Sequence, residues 1–272
     1  MPGILCPTDF SVASTNAIDF AIEIAKRKNL RLILFNAYQV FVSDTTTAMP
    51  DITLEELHGA AMTRLQNEKT ELLQLHPTLN IEVAAGFGFT ADAIKEATEE
   101  YEIDYVVMGT TGSSGLALAL MGSNTAQCID KLKFPVIAIP SNAQYRGFDK
   151  IIFAAALHKE ELPVLEKLNS LLEQFGSEVT LVHTFSGDDK EAMEFSVYKE
   201  LAIAKLFNCQ THFRQFSGEV MEGIEQAIRL QKTDALVMVT HHRGFFKRLF
   251  APSITKIMVY HTDVPLIAFQ AE

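Results

Sequence analysis

The sequence predicts an α/β fold made of two tandem doubly wound units, each a parallel sheet with helices on both faces. Three observations lead to it. Short apolar runs alternate with stretches whose apolar residues recur at helical spacing, and strands separated by helices pair in parallel. The alternation is then written a second time, in a register that can be followed residue by residue. And 272 residues suit two units of about 130 residues each.

Gly3 to Pro7 is a short apolar run and reads as the first strand, with Thr8 to Ser11 as the turn after it. Ala13, Ala17, Ile18, Ala21, Ile22 and Ala25 fall at helical spacing, so a helix runs to about Lys28. Leu30 to Ala37 is the second strand, and residues 39–53, rich in Ser, Thr, Asp and Pro, form a long loop. Leu54 to Leu75 is a helix ended by Pro77, and Ile81 to Ala85 is the third strand. Thr90 to Glu100 is a helix and Tyr105 to Met108 the fourth strand. A glycine-rich loop follows, then a helix over Ala126 to Leu132 and a fifth strand over Phe134 to Pro140.

The second half repeats this. Ile151 to Ala156 matches the first strand at an offset of 147, and Glu178 to Phe185 matches the second at the same offset. From the third strand onward the offset is 130. Gly218 answers Gly88, Ile224 answers Ile94, Ala227 answers Ala97, Asp234 answers Asp104, Ser253 answers Ser123 and Pro265 answers Pro135. The 17-residue difference falls in the loop and helix between strands two and three of the first half. This is the mark of an internal duplication. It sets units at 1–143 and 147–272, with polar Asn142 to Asp149 as the linker.

With 48% hydrophobic and 21% charged residues, the chain has an ordinary globular composition. A net charge of −11 speaks against general affinity for nucleic acid or anionic membranes. The charge is uneven: nine basic and 17 acidic residues through Ala143, then 14 and 17 after it, so a local basic patch in the second half stays open. Cys6, Cys128 and Cys209 are scattered, without metal-ligand spacing, and read as reduced thiols. No apolar run reaches about 18 residues, and no charged-then-apolar leader precedes the first strand. A cytoplasmic protein without a membrane span is the expectation.

The chemistry centres on Gly109 to Thr125, which lies between the fourth strand and a helix. Three of its four glycines, Gly109, Gly112 and Gly122, are spaced G-x2-G-x9-G, and the last is followed by Ser123, Asn124 and Thr125. Glycine permits close backbone approach and positive φ, and a helix start offers free N–H groups to an anion. The loop therefore reads as a phosphate cradle. It has no G-x-x-x-x-G-K-[ST] and no Lys or Arg, which favours holding a phosphate over transferring one. Asp9 stands at the carboxyl end of the first strand, where open α/β sheets bind ligands. There it could accept from ribose hydroxyls, hold Mg²⁺, or simply cap the turn, with Ser11 as the competing cap. Gly86-Phe87-Gly88-Phe89-Thr90-Ala91 fits G-x-G-x-x-A but follows the third strand, so it is no dinucleotide fingerprint. Gly86 could still let a nucleotide pass close to the backbone. No nucleophile elbow and no metal cluster emerges, His241-His242 included.

These residues resemble the universal stress protein family. The G-2x-G-9x-G-[S/T] loop of its ATP-binding members is matched by Gly109, Gly112, Gly122 and Ser123, and its strand-one Asp by Asp9 in Pro7-Thr8-Asp9-Phe10-Ser11. The resemblance covers nearly the whole chain, as two family domains in tandem. It implies five parallel strands of order 3-2-1-4-5 in each domain. It further implies ATP with Mg²⁺ held between the strand-one loop (Pro7, Thr8, Asp9) and the strand-four loop (Met108, Gly109, Gly112, Gly122, Ser123, Asn124, Thr125). Backbone near Ala37 to Val40 would contact adenine, and Asp9 the ribose or the metal. Family domains pair through their last strands, here 134–139 and 264–269, so an intrachain pseudo-dimer is expected, with a further homodimer open.

The second half departs from the pattern. Asp9 is answered by Ala156, and Gly109, Gly112 and Gly122 by Val239, His242 and Pro252. No nucleotide site of the family kind is expected there. Its loop, His241 to Phe250, interleaves basic and aromatic residues and reads either as a packed loop or as a surface for an anionic partner or a nucleic-acid single strand, an apolar ligand or a protein. The leading expectation is a cytoplasmic ATP-binding stress-response protein with one nucleotide site per chain. The alternatives are a slow ATPase or phosphotransferase, and an adaptor that works without nucleotide.

Overall fold

A computed structural model describes residues 2–39, 53–110, 123–185, 189–240 and 263–271. In chain order the elements are β1 (Gly3–Pro7), α1 (Val12–Lys28), β2 (Arg31–Tyr38), α2 (Leu54–Leu75), β3 (Ile81–Phe87), α3 (Thr90–Glu100), β4 (Tyr105–Gly109), α4 (Ser123–Lys131) and β5 (Val136–Ile139). The second half follows with β6 (Lys150–Ala154), α5 (Glu161–Leu172), β7 (Glu178–Phe185), α6 (Asp189–Lys205), β8 (Gln210–Ser217), α7 (Val220–Gln231), β9 (Ala235–Thr240) and β10 (Leu266–Gln270). The expected helices at 54–75 and 90–100 fall on these bounds. The first strand of the second half ends earlier than Ala156, because the chain turns away through Leu157 at φ 63.

The strands form one ten-stranded sheet of order β3-β2-β1-β4-β5-β10-β9-β6-β7-β8. Within each half the pairing is parallel, and the halves meet through β5 and β10, which pair antiparallel. The joint is centred on Ile137 opposite Ile267, with Ala138 opposite Leu266 and Val136 opposite Ala268. Ile137 and Ile267 are equivalent at the 130 offset. A local two-fold axis therefore passes between them, as in an isologous contact.

The duplication is visible in backbone detail. Asp104 N–H donates to Gly3 O and Asp234 N–H to Lys150 O, both at 2.8 Å. Phe10 (φ 62) has its counterpart in Leu157 (φ 63), and Gly88 (φ 128) in Gly218 (φ 109). Asn29 ends α1 in the left-handed region at φ 51, its N–H bonded to Ala25 O. Its counterpart Gly176 has φ 70, a conformation Gly and Asn adopt at least cost.

Both sheet faces are buried. α1, α2, α5 and α6 cover one, around Ile4, Cys6, Phe20, Leu65, Phe153, Leu168 and Tyr198. α3, α4 and α7 cover the other, around Leu5, Ile33, Ile94, Val106, Cys128 and Ala227. The first helix starts on Ser11, whose Oγ accepts the Ser14 N–H, and α2 starts with a capping box between Thr53 and Glu56.

The polar linker is packed rather than loose. Phe148 is fully buried, with ring centroids 6.1 Å from Tyr145 and 5.3 Å from Phe175, and Tyr145 stands 5.2 Å from Phe20 of α1. Asn16 Nδ2 donates to Pro140 O (2.9 Å) and Ala143 O (3.0 Å), tying α1 to the chain as it leaves β5. Lys28 Nζ donates to Ser170 O at 2.6 Å across the two halves.

The three cysteines are free thiols. Burial pushes Cys128 up to about 12 and Cys209 up to about 11, and raises Cys6 as well, so they sit as inert packing groups rather than nucleophiles. Among the described residues no helix is long and apolar enough to cross a membrane.

Candidate functional site

Strand order reverses between β1 and β4, the position where open α/β sheets form a ligand crevice. Their ladder covers Ile4 opposite Tyr105 and Leu5 opposite Val106, while β1 continues to Pro7 and β4 to Gly109. The strands thus separate toward their carboxyl ends. Pro7 and Thr8 are buried, and Asp9 is exposed at the rim. Met108 is buried beside Gly109, and Ser123 and Asn124 are exposed in the first turn of α4. Thr125 is buried, and its Oγ1 donates to Gly109 O at 2.8 Å, which fixes the start of α4 against the end of β4. Ala37 lies beside Gly86 in the β2–β3 ladder. Val40, Gly112 and Gly122, like the loop at 241–250, lie outside the described residues.

Thr8 and its neighbours form a chain of hydroxyls that sets the β1–α1 turn. Phe10 N–H donates to Thr8 Oγ1 (3.0 Å), Thr8 Oγ1 to Ser14 Oγ (3.1 Å), and Ser14 Oγ to Ser11 O (2.9 Å). Asn36 Nδ2 reaches from β2 to Thr8 O at 2.7 Å. Asp9 Oδ1 accepts the Ser11 N–H at 3.1 Å. Asp9 therefore serves the turn, and Ser11 rather than Asp9 caps α1.

Two of the glycines have packing reasons of their own. A Cβ on Gly109 would meet Ala13 O of α1 at 2.8 Å, and one on Gly86 would meet Phe35 Cζ at 2.7 Å. The first lets α1 lie across the end of β4, and the second lets the Phe35 ring lie under β3.

In the second half the same place is built differently. His183 answers Asn36, and its Nδ1–H donates to Ala155 O at 2.9 Å. Thr8 and Ser14 are answered by Ala155 and Glu161. Glu161 is buried, its Oε1 accepting the Ala156 N–H (3.0 Å) and its Oε2 the Tyr198 hydroxyl (2.9 Å). Burial and the Glu161 charge raise the Tyr198 phenol well above its ordinary range, so it remains a donor. A carboxylate braces the turn that hydroxyls brace in the first half.

Asn36 and Ser14 are residues that the motif reading passed over. The available signal was a polar residue in an apolar run, Asn36 within Leu30 to Ala37, repeated as His183 at the 147 offset. Among the described residues no group of three or more His, Cys, Asp or Glu side chains is placed to hold a metal.

These features define a doubly wound α/β protein with a switch-point crevice made from loop backbone and hydroxyls. The model of the universal stress protein family matches residues 2–140, and the chain belongs to that family. A universal stress protein of Methanocaldococcus jannaschii is 29% identical over 143 residues, 50% of this chain and 80% of that protein. A universal stress protein A homolog of Haemophilus influenzae is 25% identical over 137 residues, 50% of this chain and 94% of that protein. A solved universal stress protein from Archaeoglobus fulgidus superposes with a TM-score of 0.77 at 19% identity, covering 98% of each chain. That likeness speaks for the fold over both halves.

Proposed function

We propose that the chain is a cytoplasmic ATP-binding stress-response protein that holds one nucleotide, in its first unit (1–143). The second unit (147–272) would be a copy without a nucleotide site of the family kind. The observation that carries this reading is the asymmetry at one position of the fold. The first half presents Asp9, a β4 end tied to α4 through Thr125, and the G-2x-G-9x-G-S sequence. The second half has Ala156 and a buried carboxylate, Glu161, at the equivalent turn, where it opposes a triphosphate. In the first half, loop and helix-terminal N–H groups of 109–125 would hold the phosphates, Ala37 and Val40 would contact adenine, and Asp9 would bind ribose or Mg²⁺. The absence of Lys and Arg from 109–125 supports a holder over a fast phosphotransferase.

Calorimetry with ATP and Mg²⁺ tests this. One nucleotide per chain is expected, and Asp9→Ala should weaken binding about tenfold, the equivalent of about 1.4 kcal/mol. Asp9 is exposed, so the variant should melt close to the parent. Two nucleotides per chain, none, or unchanged affinity in Asp9→Ala would each overturn the proposal. Steady phosphate release from ATP, abolished by Gly122→Val, would favour the ATPase alternative.

A further inference from the structure

The halves also differ at the amino ends of β1–β3 and β6–β8, on the sheet face that α3 and α7 cover. The first half is filled there. Ile33 is fully buried and Ala84 nearly so. Arg31 lies across Gly3, whose added Cβ would stand 2.8 Å from Arg31 Cγ, and Arg31 Nη1 pairs with Glu82 at 3.2 Å. Tyr101, next after α3, packs partly buried against the same core, near enough for the charges of Glu82 and Arg31 to act on its phenol. In the second half Lys150 answers Gly3, Glu178 answers Arg31, Thr180 answers Ile33, His212 answers Glu82, Arg214 answers Ala84 and Gln231 answers Tyr101. Shorter side chains thus replace Arg31 and Tyr101, and the residues of the second half line a cavity of about 520 Å³.

Thr180 is the residue that points to a ligand. It is 5% exposed and lines the cavity, yet its hydroxyl has no hydrogen-bond partner among the described residues. A buried hydroxyl without a partner costs stability, and Ile33 fills the equivalent place without that cost. Lys150, Glu178, His212 and Arg214 are exposed, and among the described residues their side chains make no hydrogen bond or ion pair. Lys150 stands opposite Glu178 and Thr180 opposite His212, with Arg214 two residues further along β8. Residues two apart share a sheet face, so these groups stand around the hydroxyl. Two fixed cations and an imidazole face one carboxylate, in a chain whose net charge is −11. We propose that this cavity binds a phosphorylated small molecule, a phosphate monoester with a hydroxylated carbon skeleton. The planar Arg214 guanidinium matches phosphate oxygens, and Lys150 adds a point charge. The Thr180 hydroxyl donates to the same group, and Glu178 accepts from a ligand hydroxyl. Leu230 of α7, 67% exposed, gives the carbon skeleton an apolar wall. The volume lies within the range of small-molecule sites. The site is at the opposite end of the sheet from the β1–β4 crevice and does not depend on the nucleotide reading.

Calorimetry on the full chain tests this with glycerol phosphate, glycerate and glycerol as probes. Glycerol phosphate should bind saturably, glycerate more weakly and glycerol not at all. Arg214→Gln, at an exposed position, should lower glycerol phosphate affinity about tenfold with the melting temperature unchanged. Thr180→Val should lower the affinity about threefold and yet raise the melting temperature of the free chain, because it removes an unpaired buried hydroxyl. A threonine kept only for packing would show neither change. Phosphate binding at the Gly109 loop would persist undiminished in both variants and so counts against the site. No saturable binding of glycerol phosphate, equal binding of glycerate, or an affinity unchanged in both variants would each overturn the proposal.

Discussion

Phe148→Ala is expected to destabilise the chain by about 3–5 kcal/mol, the usual range for truncating a buried aromatic ring. The ring is fully buried in the linker, against Tyr145 on one side and Phe175 on the other. Through Tyr145 it reaches Phe20 of α1, and Phe175 follows α5. Arg27 lies over the Phe175 ring at 5.3 Å. The linker is therefore the hydrophobic filling between the first helices of the two halves, on the α1/α5 face of the β5–β10 joint. Its loss should do more than lower the total. Equilibrium urea unfolding should separate into two transitions, since each half keeps its own five strands and only the joint is weakened. A loss below about 1 kcal/mol, or one sharp transition with unchanged slope, would mean that the β5–β10 ladder alone couples the halves.

Much of this architecture was legible because the chain states it twice. The 147 and 130 offsets predicted equivalences that reappear as matched φ angles at Phe10 and Leu157 and as matched bonds from Asp104 and Asp234. Strand bounds were legible wherever apolar runs met turn residues. The linker was less so: Asn142 to Asp149 is polar on average, yet within it Phe148 is a core residue and Tyr145 packs, partly buried, against the core. Composition over eight positions hides two aromatic anchors. At the crevice, Asp9 stands past the carboxyl end of β1 and Thr125 in the first turn of α4. The hydroxyl chain Thr8–Ser14 and the reach of Asn36 were not legible, because a short polar side chain gives no hint of its partner across the sheet. The carboxylate brace at Glu161 was hidden for the same reason: its donors, Ala156 N–H and Tyr198, lie in other elements.

Gly109→Val should destabilise the chain by about 2–3 kcal/mol in the absence of any nucleotide, measured by urea unfolding. The added Cβ would stand 2.8 Å from Ala13 O and 3.0 Å from Ala13 C. Those are backbone atoms in the first turn of α1, which move only if the helix moves, and overpacking of this kind costs about 1–3 kcal/mol. The second half supplies the control, for Val239 occupies the equivalent place and is buried without difficulty. The difference lies in the facing helix. α1 begins at Val12, whereas α5 begins at Glu161, two residues later than the 147 offset would place it. Ala13, in the first turn of α1, is thus answered by Glu160, which precedes α5. Glycine at 109 is thus required by where α1 starts, whatever the ligand, and nucleotide should change the size of the loss little. Val239→Gly should in turn cost about 1–3 kcal/mol through lost apolar burial and a poorly filled site. If Gly109→Val proved neutral without nucleotide yet lost ATP binding, the glycine would belong to the ligand and the packing account would fail. Loss of glycine at the end of β9 is therefore weak evidence against a ligand in the second half. The stronger evidence is the carboxylate of Glu161, fixed by Tyr198 at the turn where the first half has Ser14.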